Sequence, residues 1–285
     1  MQYSLELLGR RFQLTVPFEL HICPSMIPFL SPDQENQDGL QILVRPGYVP
    51  QPDQSDVWHE TCYYAYEPDL LRVLHCQSAG SAPYAMLELH QDGNIMLTYR
   101  PESEYLLRHA GDLMKHIGLE RLLLHHSGVV LHASYIAKNG KGILFSAPSG
   151  TGKSTQAELW QALRGYEILN GDRAGICHAA QGWMAWGLPY AGTSGLYRNE
   201  SASIGAIVVL RQGSENRISR LNRAQAVRYL YPETTVHYWE EPFILRVLDI
   251  LQALTEAVPV YRLDCLPDAS AVELLANTLA KEGVL

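Results

Sequence analysis

Between Gly142 and Trp160 the chain reads GILFSAPSGTGKSTQAELW, and this stretch constrains the fold more than any other. Gly142 to Ser146 is an apolar, strand-like run, Ala147 to Gly152 is a loop of small residues, and Lys153-Ser154-Thr155 open a helix. A strand that delivers such a loop to a helix N-terminus turns backbone N–H groups inward and adds the helix's partial positive charge. The pattern G-x-x-x-x-G-K-[ST] binds nucleoside phosphates in this way. Here its first position is Ala147, while Gly150 and Gly152 keep the close backbone approach that a phosphate needs. The candidate phosphate-binding residues are Ala147, Pro148, Ser149, Gly150, Thr151, Gly152, Lys153, Ser154 and Thr155. Lys153 would meet the β- and γ-phosphates, and the Ser154 hydroxyl would meet Mg²⁺. The bland alternative is a surface lysine after a chance Gly/Ser loop, which the flanking strand and helix disfavour.

The neighbouring residues narrow the topology. Val129 to Ala137 reads as a strand, and Asn139-Gly140 after it is the strongest two-residue hairpin signal. The strand that carries His132 is therefore expected to pair antiparallel with the strand that delivers the loop. A simple parallel nucleotide-binding sheet does not start this way. That pairing would bring the His132 imidazole near the phosphates as a candidate catalytic group; a structural role is the alternative.

After the loop, Thr155 to Leu163 is helical, with Ala157, Trp160 and Leu163 on one side and Gly165 as the stop. Ile168-Leu169 then runs into Asn170-Gly171-Asp172-Arg173, as a strand presents a carboxylate at its C-terminal end. Asp172 lies 19 residues beyond Lys153, room for one helix and one return strand. It can then hold Mg²⁺ or accept the proton of an attacking hydroxyl. A turn or cap aspartate is the bland reading. Further on, Ala191-Gly192-Thr193-Ser194-Gly195 makes a second small-residue turn before Arg198 and Glu200. Arg198 is a candidate to neutralise charge on a transferring phosphoryl group, and Glu200 a candidate metal ligand, against a plain surface ion pair.

The remainder carries less chemistry. Residues 1–111 are expected to form a β-rich region, a candidate for substrate recognition, with 112–285 as the core. Alternating runs recur at 3–7, 12–16, 41–44, 86–89 and 95–99, and Gln91-Asp92-Gly93-Asn94 marks a hairpin. Polar loops such as Ser31 to Gly39 separate the others. His21, His59, His75, His90 and His109 lack metal-ligand spacing. Asp112 to His125 reads as one helix, and Ile204 to Leu210 as a buried strand. Asn222 caps a helix that Pro232 stops, Pro242 opens a longer helix, and Asp268 caps the last one. Val258 to Leu263 contains Pro259 and is expected at a sheet edge.

The 285 residues suffice for one large or two smaller cores. A net charge of −8 without a Lys/Arg run argues against nucleic acid and anionic membrane as partners. The opening MQYSLELLGRRFQL does not read as a basic-then-apolar signal peptide, and with no run of about 18 apolar residues no transmembrane helix is expected. Five scattered cysteines without C-x-x-C fit reduced thiols and a cytoplasmic location. Sixteen tyrosines against five phenylalanines is an unusual ratio with no functional reading.

From Leu131 to Ile176 the chain resembles the HPr kinase/phosphorylase family, bacterial serine kinases with a core related to phosphoenolpyruvate carboxykinase. The residues that carry the resemblance are His132 on its strand, the hairpin, Ser149 to Thr155 and the apolar-then-acidic segment Ile168 to Asp172. The chain also looks like smaller HPr-kinase-like proteins encoded beside peptide-modification genes. Where the family carries two adjacent aspartates, this chain has Gly171-Asp172. The resemblance implies an α/β fold, a mixed twisted sheet around the loop with a helical C-terminal part. It also implies an ATP- and Mg²⁺-dependent kinase acting on a serine of a peptide or protein, with HPr itself not the implied substrate. A small-molecule or sulfonucleotide-type kinase is a second reading. A nucleotide-binding regulatory module with little turnover is a third. Homo-oligomerisation is left open.

Overall fold

The computed structural model describes residues 1–31, 39–190 and 195–284. It is a strand-rich mixed α/β protein with two sheets, and its contacts divide it into Met1–Leu122 and Leu123–Leu285. Among the described residues, no helix is long and apolar enough to cross a membrane.

The first unit is an eight-stranded sheet. Its strands are β1 (Gln2–Leu7), β2 (Arg10–Thr15), β3 (Leu40–Pro46), β4 (Val57–His59), β5 (Cys62–Glu67), β6 (Leu70–His75), β7 (Ala85–His90) and β8 (Ile95–Tyr99). The order is β1-β2-β3-β8-β7-β6-β5-β4, with β3 parallel to both its neighbours. The expected hairpin joins β7 to β8, with Leu89 opposite Ile95 and Gly93 at φ 86°. The β5–β6 hairpin, Glu67 opposite Leu70, was not expected. The single helix expected over Asp112 to His125 is two, α1 (Ala110–Ile117) and α2 (Leu119–His125). Gly118 parts them in the left-handed region (φ 71°), which glycine enters without steric cost and which ends a helix. Residues 32–38, in the loop expected from Ser31 to Gly39, lie outside the described residues.

The second unit contains β9 (Gly128–Lys138), β10 (Lys141–Ser146), β11 (Glu167–Asn170), β12 (Arg173–Ala179), β13 (Gly182–Gly187), β14 (Ser201–Gln212), β15 (Arg217–Arg220) and β16 (Val260–Cys265). Its helices are α3 (Lys153–Arg164), α4 (Arg223–Leu230), α5 (Glu241–Ala257) and α6 (Ala269–Lys281). Asn139 (φ 51°) and Gly140 (φ 76°) make the expected tight turn, and β9 pairs antiparallel with β10. On its other edge β10 pairs in parallel with β14. β9, β12, β13 and β14 are joined by antiparallel ladders, so the pairing closes on itself through β10. β14 continues into parallel pairing with β16. The segment with Pro259 is therefore not an edge strand: β16 lies between β14 and β15. The proline precedes its first residue and removes no hydrogen bond from the ladder.

Packing follows the period of the strands. In β14, Ile207 and Val209 face the core shared with α4 and α5, while Ala206, Val208 and Leu210 face the core shared with α3 and α6. A strand covered on both faces reads as an unbroken apolar run. Each of the isoleucine, valine and leucine side chains contributes about 1.5–3 kcal/mol on full burial. β10 is anchored between β9 and β14 in the same way, which holds the start of the loop after it rigidly.

Candidate active site around Lys153

The chain leaves β10 at Ser146 and turns through Ala147–Gly152 into α3. Gly150 (φ 78°) and Gly152 (φ 114°) adopt left-handed conformations, and a Cβ on either would meet open space. That open space forms a cradle beside exposed backbone. The first-position alanine costs nothing here, because Ala147 is packed into the α3 core at 1% exposure. Lys153 lies back along the loop, and its Nζ donates to Ala147 O at 2.8 Å and Pro148 O at 3.3 Å. Burial pushes its pKa below the usual lysine range, while Glu233 and Asp172 oppose that by attraction. Both carboxylates thus act on the lysine of the loop.

The carboxylates come from different parts of the unit. β11 and β12 both run antiparallel to β9 on one side of it, and Asp172 sits at the break between them. Asn170, fully buried, builds that break. Its Oδ1 accepts from the N–H groups of Asp172 (2.9 Å) and Arg173 (3.0 Å), and its Nδ2 donates to Leu188 O and Tyr190 O. Ala133 N donates to Asp172 O, and Ser134 Oγ to Gly171 O, both at 2.9 Å. The carboxylate is therefore displayed from a kink in a paired strand rather than from the open strand end expected.

His132 precedes Ala133, which pairs with Ser146, the last residue before the loop. The imidazole lies between two carboxylates: Nε2 is 3.4 Å from Asp172 Oδ1, and Nδ1 is 2.9 Å from Glu233 Oε2. Glu233 stands in the short 3₁₀ turn Tyr231–Glu233 after α4, and Thr235 N donates to Val130 O, which ties the exit of that turn to β9. Arg173 Nε is 3.4 Å from Asp172 Oδ2. An imidazole can donate to two carboxylates at once only in its doubly protonated form.

Lys153, Asp172 and His132 are thus brought together, and Arg198 and Glu200 are not. The segment after Leu196 runs antiparallel along β11, with Tyr197 opposite Asn170 and Arg198 N donating to Leu169 O. It leads away from Asp172. Arg198 accordingly pairs with Glu167 (2.5 Å), at the far end of β11, and with Glu200 (3.7 Å). Glu167 pairs with Ala137 and Asp172 bonds to Ala133, four residues along β9, roughly 13 Å apart. Residues 191–194 of the second small-residue turn lie outside the described residues.

Among the described residues no group of three His, Cys, Asp or Glu could hold a metal ion. Mg²⁺ needs less than that: it takes one or two carboxylates with substrate phosphates and keeps several waters. The exposed Ser154 at the start of α3, together with Asp172, fits it on those terms.

A family model described as SynChlorMet cassette protein ScmC matches residues 114–266, just over half of the chain. The chain belongs to the ScmC family. The matched part holds His132, the loop, Asp172 and Glu233, so the whole cluster lies within what defines ScmC. Among solved structures, the Hpr(Ser) kinase/phosphatase from Coxiella burnetii is similar to this ScmC chain at 14% identity. The match covers 54% of this chain and 89% of that one, with a TM-score of 0.30, too slight a likeness to carry residue roles across. A comparison with curated proteins finds no match.

Sequence reasoning missed Glu233 and the part played by Asn170. In the sequence Glu233 is only the residue after a helix-stopping proline, 101 positions from the histidine it meets. Asn170 had a weak signal, a polar side chain ending an apolar strand.

Proposed function

We propose that this ScmC-family protein is an ATP-dependent kinase that transfers the γ-phosphoryl group to a hydroxyl, most simply a serine of a peptide or protein. The observation that carries the reading is the convergence of Asp172 and Glu233 on His132, close enough to the loop to act on the Lys153 ammonium. A loop of this shape suits a triphosphate, and a carboxylate–imidazole pair beside it suits deprotonation of an acceptor.

In this reading the backbone N–H groups of Ala147–Gly152 and the N-terminus of α3 hold the phosphates. Lys153 exchanges its carbonyl partners for phosphate oxygens. Asp172, held by Asn170, takes the proton of the acceptor hydroxyl as its oxygen bonds to the γ-phosphorus and the bond to the β-phosphate oxygen breaks, leaving ADP. His132 sits behind Asp172 and Glu233 behind His132, so the imidazole can take the proton from Asp172 on Nε2 as it gives its Nδ1 proton to Glu233. Ser154 and Asp172 would hold Mg²⁺, which would neutralise the phosphate charge.

ATP titration with a single-turnover assay tests the reading. Lys153→Ala weakens ATP binding and lowers transfer by about a thousandfold, the loss seen when one preorganised charge-stabilising donor is removed. Asp172→Ala keeps ATP affinity within about twofold and lowers transfer by about 10²–10⁴, the usual share of a general base. Transfer at the wild-type rate in Asp172→Ala rules out its assigned role. If γ-labelled ATP never passes label to any acceptor in a cell extract, the kinase reading itself falls.

A further inference from the structure

Arg173 is a charged group at the site that the kinase reading leaves without a task. It is the direct partner of His132 across the β9–β12 ladder. On the other edge of β9, Leu131 bridges Thr234, and Thr235 N donates to Val130 O. Arg173 Nη1 nevertheless reaches Thr235 Oγ1, at 3.5 Å. The side chain therefore crosses β9 level with His132, over two strand spacings or about 10 Å. Along the way its Nε comes within 3.4 Å of Asp172 Oδ2.

Both contacts are long for hydrogen bonds, so the guanidinium is loosely held. It carries five N–H groups, and those of Nη2 have no partner among the described residues. The side chain stays 44% exposed, and so loose a surface pair contributes little to stability. The two oxygens of Asp172 also differ. Oδ1 faces His132 Nε2, and Oδ2 faces Arg173. An acceptor hydroxyl comes up to the oxygen that the imidazole leaves open, and there it meets the guanidinium. Parting Arg173 from Oδ2 costs less when the acceptor brings an anion of its own to replace it. Lys153, the cation of the loop, is 7% exposed and turned to the loop carbonyls, whereas Arg173 is open to an acceptor. On a chain of net charge −8, an acidic acceptor needs such a local cation to dock.

We propose that Arg173 selects the acceptor by pairing with a carboxylate near its hydroxyl, so that the substrate is an acidic peptide segment with Asp or Glu within two residues of the serine. The proposal rests on the kinase reading and deepens it, adding the charge that the acceptor carries. Side chains two apart on an extended peptide share a face and lie about 7 Å from each other. That reach suits a serine at Asp172 Oδ2 and a carboxylate at the outer edge of the guanidinium.

The test uses the full chain with Mg²⁺, γ-labelled ATP and a library of peptides, each with one serine and randomised flanks. The wild type labels peptides with Asp or Glu within two residues of the serine about tenfold better than the same peptides carrying the amides. That ratio is the lower end for one hydrogen bond to a charged group. Arg173→Gln raises KM for the acidic peptide about tenfold, and the loss is carried by KM rather than by kcat or ATP affinity. Arg173→Lys keeps the charge and most of the preference, and Arg173→Glu turns the preference towards Lys and Arg. Labelling without an acidic preference overturns the proposal and spares the kinase reading. So does an acidic preference that survives Arg173→Gln. A loss confined to kcat overturns it as well, because Arg173 then acts on the phosphoryl group or on Asp172 instead of the acceptor. Label that reaches a component of cell extract but no peptide in the library overturns the acidic peptide as substrate. Label that never leaves ATP sinks this proposal and the kinase reading together.

Discussion

Each unit of the molecule assembles a histidine cluster, and the two clusters are opposites. In Met1–Leu122, the rings of His75 and His116 lie against each other at a tilt of 52°, with centroids 4.8 Å apart. His75 Nδ1 lies 3.4 Å from Cys62 Sγ, and His116 is hydrogen-bonded to the Tyr84 hydroxyl and to Asp112 O. Each of these hydrogen-bonding groups is neutral, His75 Nε2 is enclosed without a partner, and burial pushes the His75 pKa down to about 3. In Leu123–Leu285, His132 keeps 28% of its side chain exposed and meets two carboxylates. A neutral, desolvated imidazole is packing material; an imidazole open to solvent between anions can take part in proton transfer. What separates them is the charge of the partners and access to water, neither of which shows in the identity of the residue.

Among the changes that bear on this contrast, the largest expected effect belongs to His132. His132→Gln keeps a side chain of similar reach but cannot carry a proton between carboxylates. Its single-turnover transfer rate falls by about a hundredfold, while its thermal midpoint stays close to that of the wild type because the side chain is partly exposed. A rate within twofold of wild type erases the contrast between the clusters, and His132 then joins His75 as a structural residue.

Glu233→Gln is expected to cost less. The amide keeps the shape and one acceptor but loses the charge facing Nδ1. A hydrogen bond to a charged group is worth about 1.5–3 kcal/mol, and the amide keeps part of it, so the loss falls at the lower end, about tenfold in rate. Because Glu233 acts through His132, the loss appears in the transfer step with ATP affinity unchanged, and it vanishes in a His132→Gln background. Additive losses in the double variant show that Glu233 works independently of His132.

Local features were legible in the sequence and distant ones were not. Asn139-Gly140 announced its turn because few residues tolerate two positive φ angles, and the order strand, loop, helix announced Lys153 because its parts are contiguous. Asp172 was within reach for the same reason, a spacing of one helix and one strand. The break that displays it was hidden, because β12 resumes pairing with β9 just past Asp172, and only tertiary structure reveals that. Glu233 enters from another layer of the fold, with no motif to mark it. Arg198 misled for the opposite reason: it is close in sequence, but the antiparallel run along β11 carries it away from Asp172. The excess of tyrosine has a structural reading. Tyr99, Tyr135 and Tyr261 are fully buried, and their hydroxyls donate to Glu104, Ala185 O and Glu282 respectively, so the rings fill cores without leaving a polar atom unpaired.

The smallest effect completes the contrast, and it concerns stability rather than rate. The pKa of His75 is depressed in the folded protein, from an ordinary 6.5 to about 3, with burial the first cause and the charges of His116 and Arg121 adding to it. The unfolded chain therefore takes up a proton near pH 6.5, and the folded chain does not until near pH 3. The stability that His75 contributes is full above that upper value and drains away as pH falls through the window between them, by at most about 1.4 kcal/mol per pH unit. His116, also depressed by burial, leaves a slope of its own, so the comparison must be between variants. His75→Phe fills the same space without a titrating group. Denaturant unfolding of the first unit, monitored at several pH values between about 7 and 4, is expected to show a shallower acid limb than the wild type. The specific activity of the folded protein at neutral pH stays unchanged. Parallel acid limbs in the two proteins mean that His75 is solvated in the folded state. A loss of activity at neutral pH means that the cluster in the first unit also serves the reaction, and the division between the packing histidine and the proton-carrying histidine fails.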